Sequence, residues 1–284
     1  MRFLVSFAVL FGMVAAVEAH LEDRIFAIYE LPTADLPDLF DGSLEDWEEV
    51  VPDASLNQDD FGATTDSWDE VDPSNLAWRV FLAWNDATQR IYVAVERLDD
   101  VFLDDRDYEN VSFMIDGDHS GGRYMMFAEE SADISEAEAR RSDFAQAQAY
   151  GTGLRQTNGF YMRTSSYRPW ASQPPWTESY GSSLSDVPHD YLLEFAVTPW
   201  DDLAPEGPES SRRTVLEANG IVGFQIFMSD ADEAGVPNGQ YLIYPGTTEW
   251  PRHYFTQSFV DGLLIPCDTG DCSQRRGTSV RLDS

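Results

Sequence analysis

IDGDHSGG, residues 115–122, carries the spacing most suggestive of chemistry in this chain. Asp116, Asp118 and Ser120 stand at alternate positions, and Gly121 is the sixth residue counted from Asp116. Oxygen ligands at positions 1, 3 and 5 with a glycine at 6 form the first half of an EF-hand-type calcium loop, which also needs a bidentate glutamate at position 12. Position 12 here is Phe127, and Glu129 and Glu130 are out of register, so the stretch is not an EF-hand. Asp-Gly-Asp followed by two glycines suits a hairpin turn without any metal. Two readings stay open: a turn alone, or a turn in which Asp116, Asp118 and Ser120 hold a calcium ion completed by distant carboxylates.

Other reactive constellations are sparse. His20, His119, His189 and His253 form no His-Glu-x-x-His pair, and no Gly-x-Ser-x-Gly elbow is present. With 51 acidic residues, a pair of carboxylates at hydrolase spacing carries no information. No catalytic residue is assigned, and the chain reads as non-catalytic. Cys267 and Cys272, with four residues between them in PCDTGDC, fit a small local disulfide; a metal pair would need two more soft ligands. YRPWASQPPWTESY (167–180) sets Tyr167, Trp170, Trp176 and Tyr180 among prolines without strand period. Such a loop is either a lid over a core edge or an exposed platform on which flat ligands stack.

The elements that must position these residues read as short strands separated by turn chemistry. Examples are AWRVFLAW (77–84), RIYVAVERL (90–98), NVSFMID (110–116), DYLLEFAV (190–197), GIVGFQIFMS (220–229) and GQYLIYP (239–245). Ile91, Val93 and Val95 alternate with Tyr92, Ala94 and Glu96, the period of a half-buried strand. Trp78 and Trp84 fall at even spacing and point to one face, and Trp47, after the Asp41-Gly42 turn, is a buried anchor. DISEAEARRSDFAQAQAY (133–150) breaks the pattern as one inserted surface helix, with Asp133 and Glu136 spaced as a capping box. The fold class is all-β: an antiparallel β-sandwich, jelly-roll or immunoglobulin-like, with that one helix.

Residues 1–19 read as a signal peptide cleaved after Ala19, which places the mature chain outside the cytoplasm, secreted or periplasmic. Residues 20–39 form an extended lead-in, 40–266 one sandwich domain, and 267–284 a tail with the disulfide loop. No anchor or second module is read. The formal net charge is −33, and all 18 basic residues are arginine. Charge of that size repels nucleic acid and anionic lipid, so neither is expected as a partner, nor is membrane insertion. The acids supply cation ligands or a solvated surface suited to salt water. The oligomeric state is unknown.

Five stretches in order resemble family 9 carbohydrate-binding modules, DOMON-like β-sandwiches: FDGSLEDWEEV (40–50), FLAWNDATQRIYVAVERLDD (81–100), ENVSFMIDGDHSGG (109–122), YLLEFAVTPWDDL (191–203) and GIVGFQIFMSDAD (220–232). The resemblance implies a sandwich that binds oligo- or polysaccharide without cleaving it, often with structural calcium. It implies a slot with Trp250 as one stacking tryptophan. Arg106 stands where the family has the second, Tyr108 is the nearest aromatic, and Arg123 matches a hydroxyl-binding arginine. Ser112 replaces the family's slot glutamate. Trp170 and Trp176 form a second candidate surface belonging to this chain alone. The alternatives are a structural or adhesive envelope protein on the same fold, or a haem-binding electron-transfer domain using Met114, Met125, Met126 or His119.

Overall fold

The computed structural model describes residues 21–51, 55–63, 72–101, 110–121, 144–152, 162–163, 168–183, 190–233, 239–243 and 256–267, and the isolated positions 135, 138, 141 and 236. Their strands are β1 (Leu21–Glu30), β2 (Leu56–Asn57), β3 (Phe61–Ala63), β4 (Leu76–Asn85), β5 (Arg90–Asp99), β6 (Asn110–Asp116), β7 (Gln148–Thr152), β8 (Met162–Arg163), β9 (Thr177–Ser183), β10 (Tyr191–Val197), β11 (Trp200–Asp202), β12 (Arg212–Arg213), β13 (Ile221–Asp230), β14 (Gly239–Ile243) and β15 (Val260–Ile265). One helix, α1 (Glu45–Val50), is described in full.

The all-β expectation holds, and most pairing is antiparallel. The exception is β1, which runs parallel to β15 over most of its length and touches β4, again in parallel, only at Tyr29 and Glu30. It thereby passes from one layer to the other and joins both in one hydrogen-bonded sheet of 13 strands. One layer holds β4, β5, β10 and β9; the other holds β7, β6, β13 and β15, with β14 beside β13. The short strands β11 and β12 form a separate small sheet.

Strand alternation builds the core. Trp78, Val80, Leu82 and Trp84 of β4, Ile91, Val93 and Val95 of β5, and Leu193, Phe195 and Val197 of β10 point inward. They meet Val111, Phe113 and Ile115 of β6 and Val222, Phe224, Ile226 and Met228 of β13. Phe113 packs edge-on to Phe195 across the layers, ring centroids 5.7 Å apart. Each such burial is worth about 1.5–3 kcal/mol against exposure. The half-buried reading of β5 gives way on one point. Tyr92 and Ala94 on its outer face are buried too, under Leu31, Leu39, Trp47 and Val51. The chain from Leu31 through α1 lies across that face, so this layer is covered on both sides.

The inserted-helix reading of 133–150 needs correction at its ends. Glu138 and Arg141 are helical, but the capping box is two residues later than Asp133/Glu136. The Ser135 backbone and hydroxyl both donate to Glu138 Oε2, and Glu138 N donates back to Ser135 Oγ. From Gln148 onward the chain is strand, because Ala149 and Tyr150 pair with Met114 and Phe113 of β6. Alanine richness alone does not decide between helix and strand when a neighbouring edge offers pairing.

Candidate functional site

Several strand ends meet at one end of the sandwich, where β5 closes, β10 opens, β6 opens, β13 closes and β14 opens. Arg97 ties them together. Its inward parity on β5 buries it completely, and it donates to Asp99 Oδ2 (2.6 Å), Asp230 Oδ1 (3.1 Å), the Ser229 carbonyl (2.9 Å) and the Tyr191 hydroxyl (3.3 Å). Burial drives the Asp230 carboxyl up to about 6, against the pull of Arg97, and raises Asp99 for the same reason. Asp99, Asp100 and Asp232 bring carboxylate oxygens within 4.8 Å of one another here. The segment that carries Arg106 and Tyr108 leaves this end at Val101 and returns at Asn110.

The outer face of β6 and β13 adjoins this end. Ser112, half-buried, lies between Gly151 of β7 and Phe227 of β13, with Leu242 of β14 beyond. A Cβ on Gly151 would stand 3.3 Å from Ser112 Oγ, so a larger residue there would crowd the serine. Arg106, Tyr108, Arg123 and Trp250 lie outside the described residues. So does Cys272; Cys267 is disulfide-bonded, as expected, and Cys272 is the chain's other cysteine.

The loop over residues 115–121 turns back on itself. Buried Asp116 accepts Gly121 N–H at Oδ2 (2.8 Å), and Asp118 Oδ1 accepts Ser120 N–H (3.2 Å). His119 adopts a left-handed φ of 54° and sets Nε2 2.8 Å from Asp261 Oδ1 on β15. That hydrogen bond raises the imidazole above its usual 6.5 against the opposing effect of burial, and the charges of Asp261, Asp116 and Asp118 add to it. The imidazole thus stands among these carboxylates, where its protonated form is favoured. Gly117 is the tight point: a Cβ there would collide with Thr214 Oγ1 and approach Pro199 Cβ to 2.9 Å. Met114, the other described haem candidate, is buried against Ala147, Leu242 and Phe259.

Trp170 and Trp176 are brought together, and both meet buried Trp200. The three rings stand edge to face at centroid distances of 6.0, 5.2 and 5.1 Å. The Arg213 guanidinium lies 5.5 Å over Trp176. Both loop tryptophans are half-buried, with much of their ring surface spent on each other and on Trp200. Tyr180, from the same segment, is instead exposed, and its ring pairs with exposed Phe40 at 6.1 Å.

Two groups escaped the sequence reading. Arg97 continues the inward series Ile91, Val93, Val95, and a charge at an inward position signals a buried partner. Glu194 sits inside YLLEFAV, a strand buried throughout, where an acid likewise needs a reason. Its carboxylate accepts the Trp47 indole N–H at 2.9 Å.

No protein-family model and no curated protein matches the chain. Among solved structures it is similar to a family 9 carbohydrate binding module from Caldicellulosiruptor kristjanssonii in complex with cellotriose. The TM-score is 0.52 at 14% identity, over 85% of this chain and 94% of that one. A family 9 module from the same organism in complex with glucose gives 0.50 at 13%, over 84% and 96%. The fold is that of family 9 modules, nearly end to end. The family resemblance read from the five sequence motifs agrees with this likeness in fold.

Proposed function

We propose that this chain is a non-catalytic carbohydrate-binding protein, exported through its N-terminal segment, that stacks sugar rings on aromatic side chains. The observation that carries the reading is the fold likeness over 85% of the chain to modules solved holding cellotriose and glucose. The reading puts the slot on the outer face of β6 and β13; in sequence Arg106 and Tyr108 immediately precede β6, Arg123 follows its loop, and Trp250 stands between β14 and β15. Pyranose rings offer apolar C–H faces to aromatic rings, while their hydroxyls take charged hydrogen-bond partners such as these arginines. Ser112, short and neutral on that face, cannot reach a hydroxyl as a glutamate does, so the preferred sugar differs from that of a glutamate-bearing slot. The exposed Phe40–Tyr180 pair lies on the outer face of the opposite layer and is a separate candidate stacking surface.

The test is intrinsic fluorescence of the mature protein titrated with glucose, cello-oligosaccharides and a panel of soluble polysaccharides. A saturable change that Trp250→Ala abolishes, with the far-UV spectrum unchanged, is the expected result. No response to any sugar overturns the proposal and leaves a structural role on the same fold.

A further inference from the structure

Two adjacent arginines make up β12, and successive residues of a strand face opposite ways. Arg212 turns to an acid: its Nε donates to Asp201 Oδ2 at 3.1 Å. Arg213 lies instead over the Trp176 ring, 5.5 Å from its centroid. Its register partner on β11 is Trp200, the hub that meets both Trp170 and Trp176.

In a chain of formal net charge −33, an arginine without an acid is an exception. Arg79, Arg90, Arg97, Arg141 and Arg212 each form an ion pair with a carboxylate. Among the described residues Arg213 forms none, and its guanidinium makes one long hydrogen bond, from Nη2 to the Thr88 carbonyl at 3.4 Å. Partial burial, followed by the charge of nearby Arg90, lowers its pKa from the ordinary guanidinium value. A guanidinium stacked on an aromatic face keeps its in-plane donors free for a planar anion. The indoles show the same deficit. Trp170 Nε1 and Trp200 Nε1 are buried without an acceptor, although buried polar groups are nearly always hydrogen-bonded. Two indole N–H groups and most of a guanidinium are thus short of acceptors in one cluster. The loop that carries it is firmly mounted: Arg168 Nε donates to the Leu203 carbonyl, and Thr177 Oγ1 to the Ala171 carbonyl at 2.6 Å.

We infer that this cluster is a second carbohydrate contact, which takes a sugar bearing a carboxylate or sulfate ester: the ring packs on Trp170 and Trp176, and Arg213 holds the anion. The inference rests on the carbohydrate-binding reading and names the class of sugar for a surface that shares no residue with the β6–β13 slot. Pyranose C–H faces suit the ring surface that both half-buried tryptophans leave open, and a carboxylate matches the guanidinium fork in bidentate fashion. A charged sugar uses both features, whereas a neutral one leaves the guanidinium idle. The acidity of the whole chain opposes such a ligand at long range, but screening limits that repulsion to about 8 Å at physiological salt. Around the site the Arg90–Glu178 and Arg212–Asp201 pairs cancel, so the charge of Arg213 is left over for the ligand.

The experiment is isothermal titration calorimetry of the mature protein with oligogalacturonate, its methyl ester, and a sulfated galactose oligosaccharide. The acid and its ester differ mainly in charge, and the acid and sulfate arms tell which anion the site prefers. The expected result is saturable binding of at least one anionic arm and binding of the ester at least tenfold weaker. Arg213→Gln, at an exposed position, weakens the anionic arm about tenfold or more, the scale of a lost charged hydrogen bond, with the far-UV spectrum unchanged. Trp250→Ala leaves that arm intact. Four outcomes overturn the inference: no binding of either anion, equal binding of acid and ester, undiminished binding in Arg213→Gln, or loss of anionic binding in Trp250→Ala, which would put the charged sugar in the slot. Cello-oligosaccharide titrated into the same variants scores the slot by itself. A protein that binds oligogalacturonate and no neutral sugar keeps this surface and loses the slot, and the converse result loses this surface alone.

Discussion

Arg97→Met tests the polar end from which the segment bearing Arg106 and Tyr108 departs. Methionine keeps the length of the arginine stem and removes all its donors. Arg97, Asp99 and Asp230 all have side chains with 0% exposure, so the substitution strands two carboxyls inside the protein. Even with the guanidinium present, burial holds Asp230 at about 6 against an ordinary 3.8. Without it, each carboxyl folds only by taking up a proton. At pH 7 wild type already carries the cost of raising Asp230 from 3.8 to about 6, so losing the guanidinium adds about 1.4 kcal/mol for that group, at ~1.4 kcal/mol per pH unit, with a further penalty from Asp99. The donors lost to the Ser229 carbonyl and the Tyr191 hydroxyl add to it, toward the ~3–5 kcal/mol seen when one partner of a buried pair is removed. A carboxyl raised in the folded state has its full stability below the unfolded value and loses it as pH rises. The deficit of Arg97→Met therefore shrinks on acidification and is smallest at pH 5, below the wild-type value of Asp230, where both proteins carry the proton. Urea unfolding of wild type and variant, followed by far-UV circular dichroism at pH 5, 6, 7 and 8, measures this directly. A deficit equal at pH 5 and pH 8, or one below about 1 kcal/mol at pH 7, would refute the reasoning.

The loop and the tryptophan cluster give two further expectations alongside the sugar test. His119→Asn keeps a residue that tolerates a left-handed φ but removes the imidazolium. A group raised above 6.5 stabilises most below that pH and less as pH rises through its folded value, so the variant's melting temperature should trail wild type at pH 5.5 and converge on it above pH 8. Trp200→Ala removes the hub on which Trp170 and Trp176 rest and should cost about 3–5 kcal/mol in urea unfolding. It should also red-shift the remaining tryptophan emission as those two rings gain water; an unchanged emission maximum would show that the loop stands without Trp200.

Alternation made the inner core legible. The even spacing of Trp78 and Trp84 and the series Ile91, Val93, Val95 put the right residues on one face, because a strand's side chains change sides at every residue. The same rule extended one step would have found Arg97, whose inward place demands the partners that Asp99 and Asp230 supply. Alternation says nothing about what covers a strand's other face. Tyr92 and Ala94 are buried only because residues 31–51 lie over them, and no local pattern in 90–99 announces that cover. The 133–150 segment failed at its end for a related reason: pairing with β6, a neighbour over thirty residues away, overrode local helix preference from Gln148 onward. Trp47 shows where the two kinds of information join. Its burial follows from its size, but a buried indole N–H needs an acceptor, and the acceptor is 147 positions away at Glu194. Bringing that acid beneath the tryptophan left a carboxylate oxygen buried and faced by two aspartates. The place of that acid is thus a consequence of how the cover is fastened to the sheet, which is why it shows only once the chain is folded.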